Sequence, residues 1–145
     1  MKRVDIYIDT SLKGPRRGDA WWTYIVAMET NKGTADTGDT GKIEDSTENQ
    51  ATLTALETAL KRLKMPCHLI LHLECDYVAS ALTNGWIEQW RYNGWMTTKN
   101  KPVCDAEKWQ SVLDFLNVHE FEVVLKEPHT YREWMRSKLK EKEGK

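Results

Sequence analysis

The stretch Ile6-Tyr7-Ile8-Asp9-Thr10-Ser11 continues an alternation begun at Val4 and Asp5, with apolar side chains at every second position, and it ends in an aspartate. This is the period of a strand with two chemically different faces. A second β-compatible run, Leu69-Ile70-Leu71-His72-Leu73-Glu74, carries another carboxylate at its end. Its apolar density suits a parallel strand covered on both sides. Two acids at strand ends, with a helix-patterned stretch between them, have the chemistry to hold hard divalent cations against a phosphate. Read in isolation, Asp9 can also simply begin a turn, and Glu74 can simply favour a helix N-terminus.

Working outward, Ala20 to Met28 reads as a second strand after the turn-forming segment Ser11 to Gly18. The polar stretch that follows, broken by Gly33, Gly38 and Gly41, specifies a third strand only weakly. Thr47 with Gln50 matches a capping box, and Leu53, Leu56, Leu60 and Leu63 recur at helical spacing until Met65-Pro66. Helices are expected over 76–84, from Trp86 to the Asn93-Gly94 step, over 107–116 and over 129–142, with a strand over 121–125. The order implies a mixed sheet with helices packed on it, an α/β class.

At 145 residues the chain suits one domain, spanning 1–145. Twenty-one basic residues against 22 acidic ones give a net charge of −1, so any polyanion site must be a local patch. Cys67, Cys75 and Cys104 form an odd set without CxxC spacing, and no N-terminal apolar run resembles a signal peptide, so a reducing cytoplasm is the expected setting. No apolar run is long enough for a spanning helix. Of the seven tryptophans, most are expected to serve core packing. His68 and His72 invite a zinc reading, but four residues along a strand separate their side chains by about 13 Å.

Several local strings resemble ribonuclease H of the bacterial type, across nearly the whole chain. Asp9-Thr10-Ser11 is similar to that family's Asp-Gly-Ser, Thr47-Glu48-Asn49 to its Thr-x-Asn, and Glu74-Cys75-Asp76-Tyr77-Val78 to its Asp-Ser-x-Tyr-Val. The most specific match is Trp86-Ile87-x-x-Trp90, Gly94-Trp95-x-Thr97, Lys101-Pro102-Val103 and Trp109-Gln110, the family's basic handle region. The resemblance implies a ribonuclease H-like fold, with a five-stranded mixed sheet flanked by helices. It also implies a Mg²⁺- or Mn²⁺-dependent endonuclease that cleaves the RNA strand of RNA/DNA hybrids.

The family's four metal-binding carboxylates carry over to Asp9, Thr52, Glu74 and Glu133. Thr52 offers a neutral hydroxyl in place of an acid, and Glu74 is one methylene longer than aspartate. Glu48, one helical turn before Thr52 and on nearly the same face, is the preferred substitute. Glu57, about 140° round the helix, is not. The implied catalytic and metal set is thus Asp9, Glu48, Glu74 and Glu133. Asn49, Arg91, Lys99, Lys101, Lys108 and His129 are the expected contacts to the hybrid, with His129 in the place of the family's mobile histidine. Three functions remain open: an endonuclease of weakened or altered activity, a catalytically silent domain that binds nucleic acid or a protein partner, and, with no motif of its own, a phosphatase- or nuclease-like activity on another substrate.

Overall fold

Alternation along β1 (Lys2–Thr10) buries Val4, Ile6 and Ile8 on one side of the sheet. The computed structural model describes residues 1–144. β1 pairs antiparallel with β2 (Gly18–Thr30), which pairs antiparallel with β3 (Gly33–Ser46). On its other side β1 runs parallel to β4 (Cys67–Leu73), and β4 runs parallel to β5 (Glu120–Leu125). The result is a five-stranded mixed sheet in the order β3-β2-β1-β4-β5, as expected. β3, weakly specified in the sequence, is the longest strand.

α1 (Glu48–Leu60) begins where the Thr47 hydroxyl accepts the Gln50 N–H at 3.2 Å. It lays Ala51, Leu53, Ala55, Leu56, Ala59 and Leu60 on one face of the sheet, against β1, β2 and β3. Each large apolar side chain buried there contributes about 1.5–3 kcal/mol. α2 (Asp76–Thr83) follows β4, α3 (Trp86–Tyr92) follows α2, and α4 (Ala106–Leu116) packs on α1. Trp109 is 1 % exposed and meets Trp90, which in turn contacts Trp86 and Trp95, and all three half-buried rings pack against the core, as expected for most of the tryptophans.

α5 (Arg132–Glu143) covers the opposite face, where Met135 meets Ile25 and Ala27 beside Tyr7 and Tyr131. It starts three residues later than the charge pattern suggested. No helix among the described residues is long and apolar enough to cross a membrane. The parallel pairing of β1 and β4 sets Asp9 and Glu74 at neighbouring strand ends, the usual place for a ligand crevice in a sheet of this kind.

Candidate functional site

A cleft of about 650 Å³ opens at those strand ends, lined by Asp9, Glu48 and Glu74 together with Lys13, Asp76, Lys126, Arg132, Arg136 and Lys140. Three of the four expected acids therefore converge. Glu48 reaches the cleft from the first turn of α1, and its Oε1 accepts the Gly14 N–H at 3.0 Å. Thr52, one turn on, is 2 % exposed and lies beside the Cys75 thiol, outside the cleft lining.

Glu133 does not join them. It is exposed on α5 and absent from the cleft wall. Met135 and Leu139 anchor this helix to the sheet, and at 3.6 residues per turn Glu133 lies about 140° from the centre of that anchored stripe. Arg132 and Arg136 lie about 40° and 80° from it, on the cleft side. The apolar pair at Met135 and Leu139 was the sequence signal that sets this register.

Each acid brought to the cleft already has a partner. Lys13 Nζ contacts Asp9 Oδ1 at 2.5 Å, and Asp9 also accepts the Thr10 N–H at 2.8 Å. Arg132 and Arg136 approach the same oxygen, Glu74 Oε1, at 3.0 and 3.7 Å. Lys126 pairs with Asp76 at 2.9 Å. The side chains of Asp9 and Glu74 are 6 % and 10 % exposed, and with Arg132 at 21 % the Arg132–Glu74 pair is the least screened, while Lys13 and Arg136 are half exposed.

This donor set does not fit a two-ion site. The helix position holds a buried hydroxyl, the fourth acid points elsewhere, and an ammonium and two guanidinium groups hold one oxygen of each of the two acids that remain. Among the described residues no three His, Cys, Asp or Glu side chains group closely enough to hold a metal.

Asn49 Oδ1 accepts the Cys75 Sγ–H at 3.1 Å, outside the cleft lining. Burial pushes the Cys75 thiol up, so it stays protonated and serves as that donor. His129 sits against Tyr7 and His72, with ring centroids 4.4 and 5.8 Å away, and its Nδ1 accepts the Tyr131 N–H at 3.2 Å. Burial, then His72 and Arg132, push its imidazole down to about 4. It is thus a neutral, packed ring outside the cleft lining. His72 is held by Asp5 at 2.8 Å and His68 by Glu122 at 2.8 Å, so the two do not share a ligand.

Between α3 and α4 the chain forms an arm closed by a Met96–Pro102 bridge. Gly94 and Trp95 both adopt left-handed backbone, φ 65° and 63°. The Trp95 conformation is one a bulky residue adopts only when its surroundings impose it. Here the Trp95 N–H bonds to Trp90 O and its carbonyl accepts from Val103. Lys99 and Lys101 edge a groove with Tyr77, Trp90 and Pro102, and Arg91 is exposed on α3. Lys108 differs from them: it is bound to Glu57 at 3.5 Å across the α1–α4 contact. The Ser111 hydroxyl and Lys108 outweigh burial and hold the Glu57 carboxyl below its usual range.

The profile of the family described as RNase H matches residues 1–131. Ribonuclease H of Acetivibrio thermocellus is 31 % identical over 134 residues, which cover 92 % of this chain and 88 % of that one. Ribonuclease H of Novosphingobium aromaticivorans is 33 % identical over 129 residues, covering 89 % and 86 %. Among solved structures, LC9-RNase H1, a type 1 RNase H with the type 2 active-site motif, superposes with a TM-score of 0.77 at 18 % identity, covering 94 % of this chain and 69 % of that one. A foamy viral protease-reverse transcriptase in complex with dsDNA gives 0.72 at 21 % identity, covering 96 % and 90 %. These two structural likenesses concern the fold.

Proposed function

This chain belongs to the ribonuclease H family, and from that premise we propose that it binds RNA/DNA hybrids and that its hydrolysis of the RNA strand is weak. The family typically works with divalent metal ions. The observation that carries the proposal is the pairing of Asp9 with Lys13 and of Glu74 with Arg132 and Arg136 inside one cleft. Binding a metal there means displacing cations from two carboxylates that are largely out of water; Lys13 and Arg136, both half exposed, can turn to solvent, whereas Arg132, 21 % exposed, would be left mostly uncompensated.

Binding makes no such demand. Hybrid duplexes are recognised by shape and by backbone contacts, without a base-edge code. Arg91, Lys99 and Lys101 on the arm offer exposed cations to one stretch of backbone. The NH₂ end of Asn49 and the cleft cations offer donors to another. A misplacement near 1 Å at a reacting centre costs about a hundredfold in rate, and this cleft departs from the family's carboxylate pattern at two positions, Thr52 and Glu74, and in the placement of Glu133.

The second reading, a non-cleaving hybrid-binding domain, is favoured by the same ion pairs, and one experiment separates the two. Labelled hybrid is incubated with wild type, with Asp9→Asn and, alongside, with the Acetivibrio thermocellus relative, in Mg²⁺ and in Mn²⁺; binding is followed by anisotropy in EDTA. Hybrid should bind in EDTA, and wild type should cut at least about a hundredfold more slowly than the relative, with Asp9→Asn slower still. If wild type is no faster than Asp9→Asn, the non-cleaving reading stands. Turnover equal to the relative's would overturn the weakened site, and absence of binding would overturn both.

A further inference from the structure

We propose that the cleft is an anion site in which Arg132 and Arg136 hold a phosphate group directly, without a divalent ion. This deepens, and rests on, the reading of the chain as a hybrid binder. Two guanidinium groups share one carboxylate oxygen, Glu74 Oε1. Around that oxygen two positive charges meet one negative, in a cleft whose lining as a whole balances, five acidic side chains against five basic ones.

An independent observation indicates an anion as the missing partner. Arg132 Nε is buried and has no hydrogen-bond partner, the one such side-chain atom among the described residues. A buried N–H without an acceptor is costly, and a guanidinium donor is best met by an anionic oxygen. Of the acids lining the cleft, Asp9 is answered by Lys13 and Asp76 by Lys126, while Glu48 accepts the Gly14 N–H and Glu143 stands at the rim. Arg136 is 52 % exposed on its side chain and reaches the cleft from solvent, and Lys140 stands one turn further along the same wall. The cleft volume, about 650 Å³, is ample for a phosphodiester with its flanking sugars. The planar fork of arginine suits two oxygens of one phosphate, which a lysine cannot match.

The phosphate belongs either to a hybrid backbone or to a free anion, and the test distinguishes these. The full chain, ¹⁵N-labelled and kept in EDTA, is titrated with inorganic phosphate and separately with a short RNA/DNA hybrid, while the arginine Nε–H resonances are followed. The Arg132 signal is assigned by its loss in Arg132→Gln. It should shift saturably with both probes, and phosphate affinity should fall at least about tenfold in Arg136→Gln, an exposed substitution that leaves the packing intact. A shift with phosphate while hybrid fails to bind upholds the anion site and overturns hybrid binding. Hybrid that binds while neither probe moves the Arg132 signal does the reverse. If neither probe moves that resonance, or if either does so only after Mg²⁺ is added, the anion site is wrong.

Discussion

The arm between α3 and α4 and the cleft at the ends of β1 and β4 are both rich in cations, yet those cations are spent differently. Arg91, Lys99 and Lys101 form no ion pair among the described residues, whereas Lys13, Lys126, Arg132 and Arg136 each contact a carboxylate of the chain. A free cation on a surface releases its counterions to bound nucleic acid, and a paired one has first to give up its partner. On the proposed reading the arm is therefore free to bind, while in the cleft acids and bases balance. Gripping a duplex and hydrolysing it are on that reading separable, because different elements carry most of the groups for each.

The largest expected effect tests whether the arm is anchored by its rings. Trp109, 1 % exposed, meets Trp90 edge to face at 5.6 Å, and Trp90 also contacts Trp86 and Trp95. Trp109→Ala should cost about 3–5 kcal/mol in urea unfolding. Arg136→Gln, in the cleft, should cost less than about 1 kcal/mol because its side chain is half exposed. Equal costs would mean that the cleft ion pairs hold the fold as firmly as the arm's packing does.

Next in size is the loss of the arm's free cations. Arg91→Ala/Lys99→Ala/Lys101→Ala should weaken hybrid binding by about ten- to a hundredfold at low salt. It should also flatten the dependence of log K on log salt by roughly 0.7–0.9 for each phosphate contact removed. An unchanged slope would show that the arm does not touch the backbone and would erase its contrast with the cleft.

What the chain disclosed before folding divides along similar lines. The strand of Val4, Ile6 and Ile8 and the helix of Leu53, Leu56 and Leu60 were legible because burial imposes a period on the sequence, and all six are at most 2 % exposed. β3 was faint because its segment from Thr34 to Asp39 is exposed at the sheet edge and held by backbone pairing to β2. Two of its glycines follow from packing on the neighbouring strand: a Cβ at Gly41 would overlap the Trp22 ring, and one at Gly38 the Tyr24 carbonyl. In the cleft, Asp9, Glu48 and Glu74 were legible from motif and helical geometry. The ion pairs were not, because Arg132 and Glu74 are 58 residues apart and meet only through the register of α5.

A smaller effect concerns His129, the neutral ring behind the cleft. Its folded pKa of about 4 lies below the unfolded value near 6.5. Between those values the unfolded chain binds more protons, so this ring's contribution to stability is fully present above about pH 6.5 and is lost as pH falls toward 4. With solvent screening of a partly exposed group, the loss is about 1–2 kcal/mol. Unfolding free energies at pH 7 and pH 4.5 should therefore differ by that much less in His129→Phe than in wild type. An identical pH dependence would place the ring in water and free it to reach a substrate.

The smallest effect concerns Lys108, which by sequence belongs with the arm and by structure behaves as the cleft cations do. Its ammonium is bound to Glu57 at 3.5 Å, and Glu57 also receives the Ser111 hydroxyl, so both groups are occupied in joining α1 to α4. The Lys108 side chain is 31 % exposed and Glu57 14 %, intermediate between a surface pair and a buried one. Lys108→Ala should leave hybrid affinity and its salt slope within about twofold of wild type, while lowering stability by about 0.5–1 kcal/mol. A tenfold loss of affinity with unchanged stability would return Lys108 to the binding surface, and would show that a cation paired in the free protein still exchanges its carboxylate for a phosphate. The same exchange would then be open to Arg132 and Arg136, and the division between arm and cleft would be one of degree.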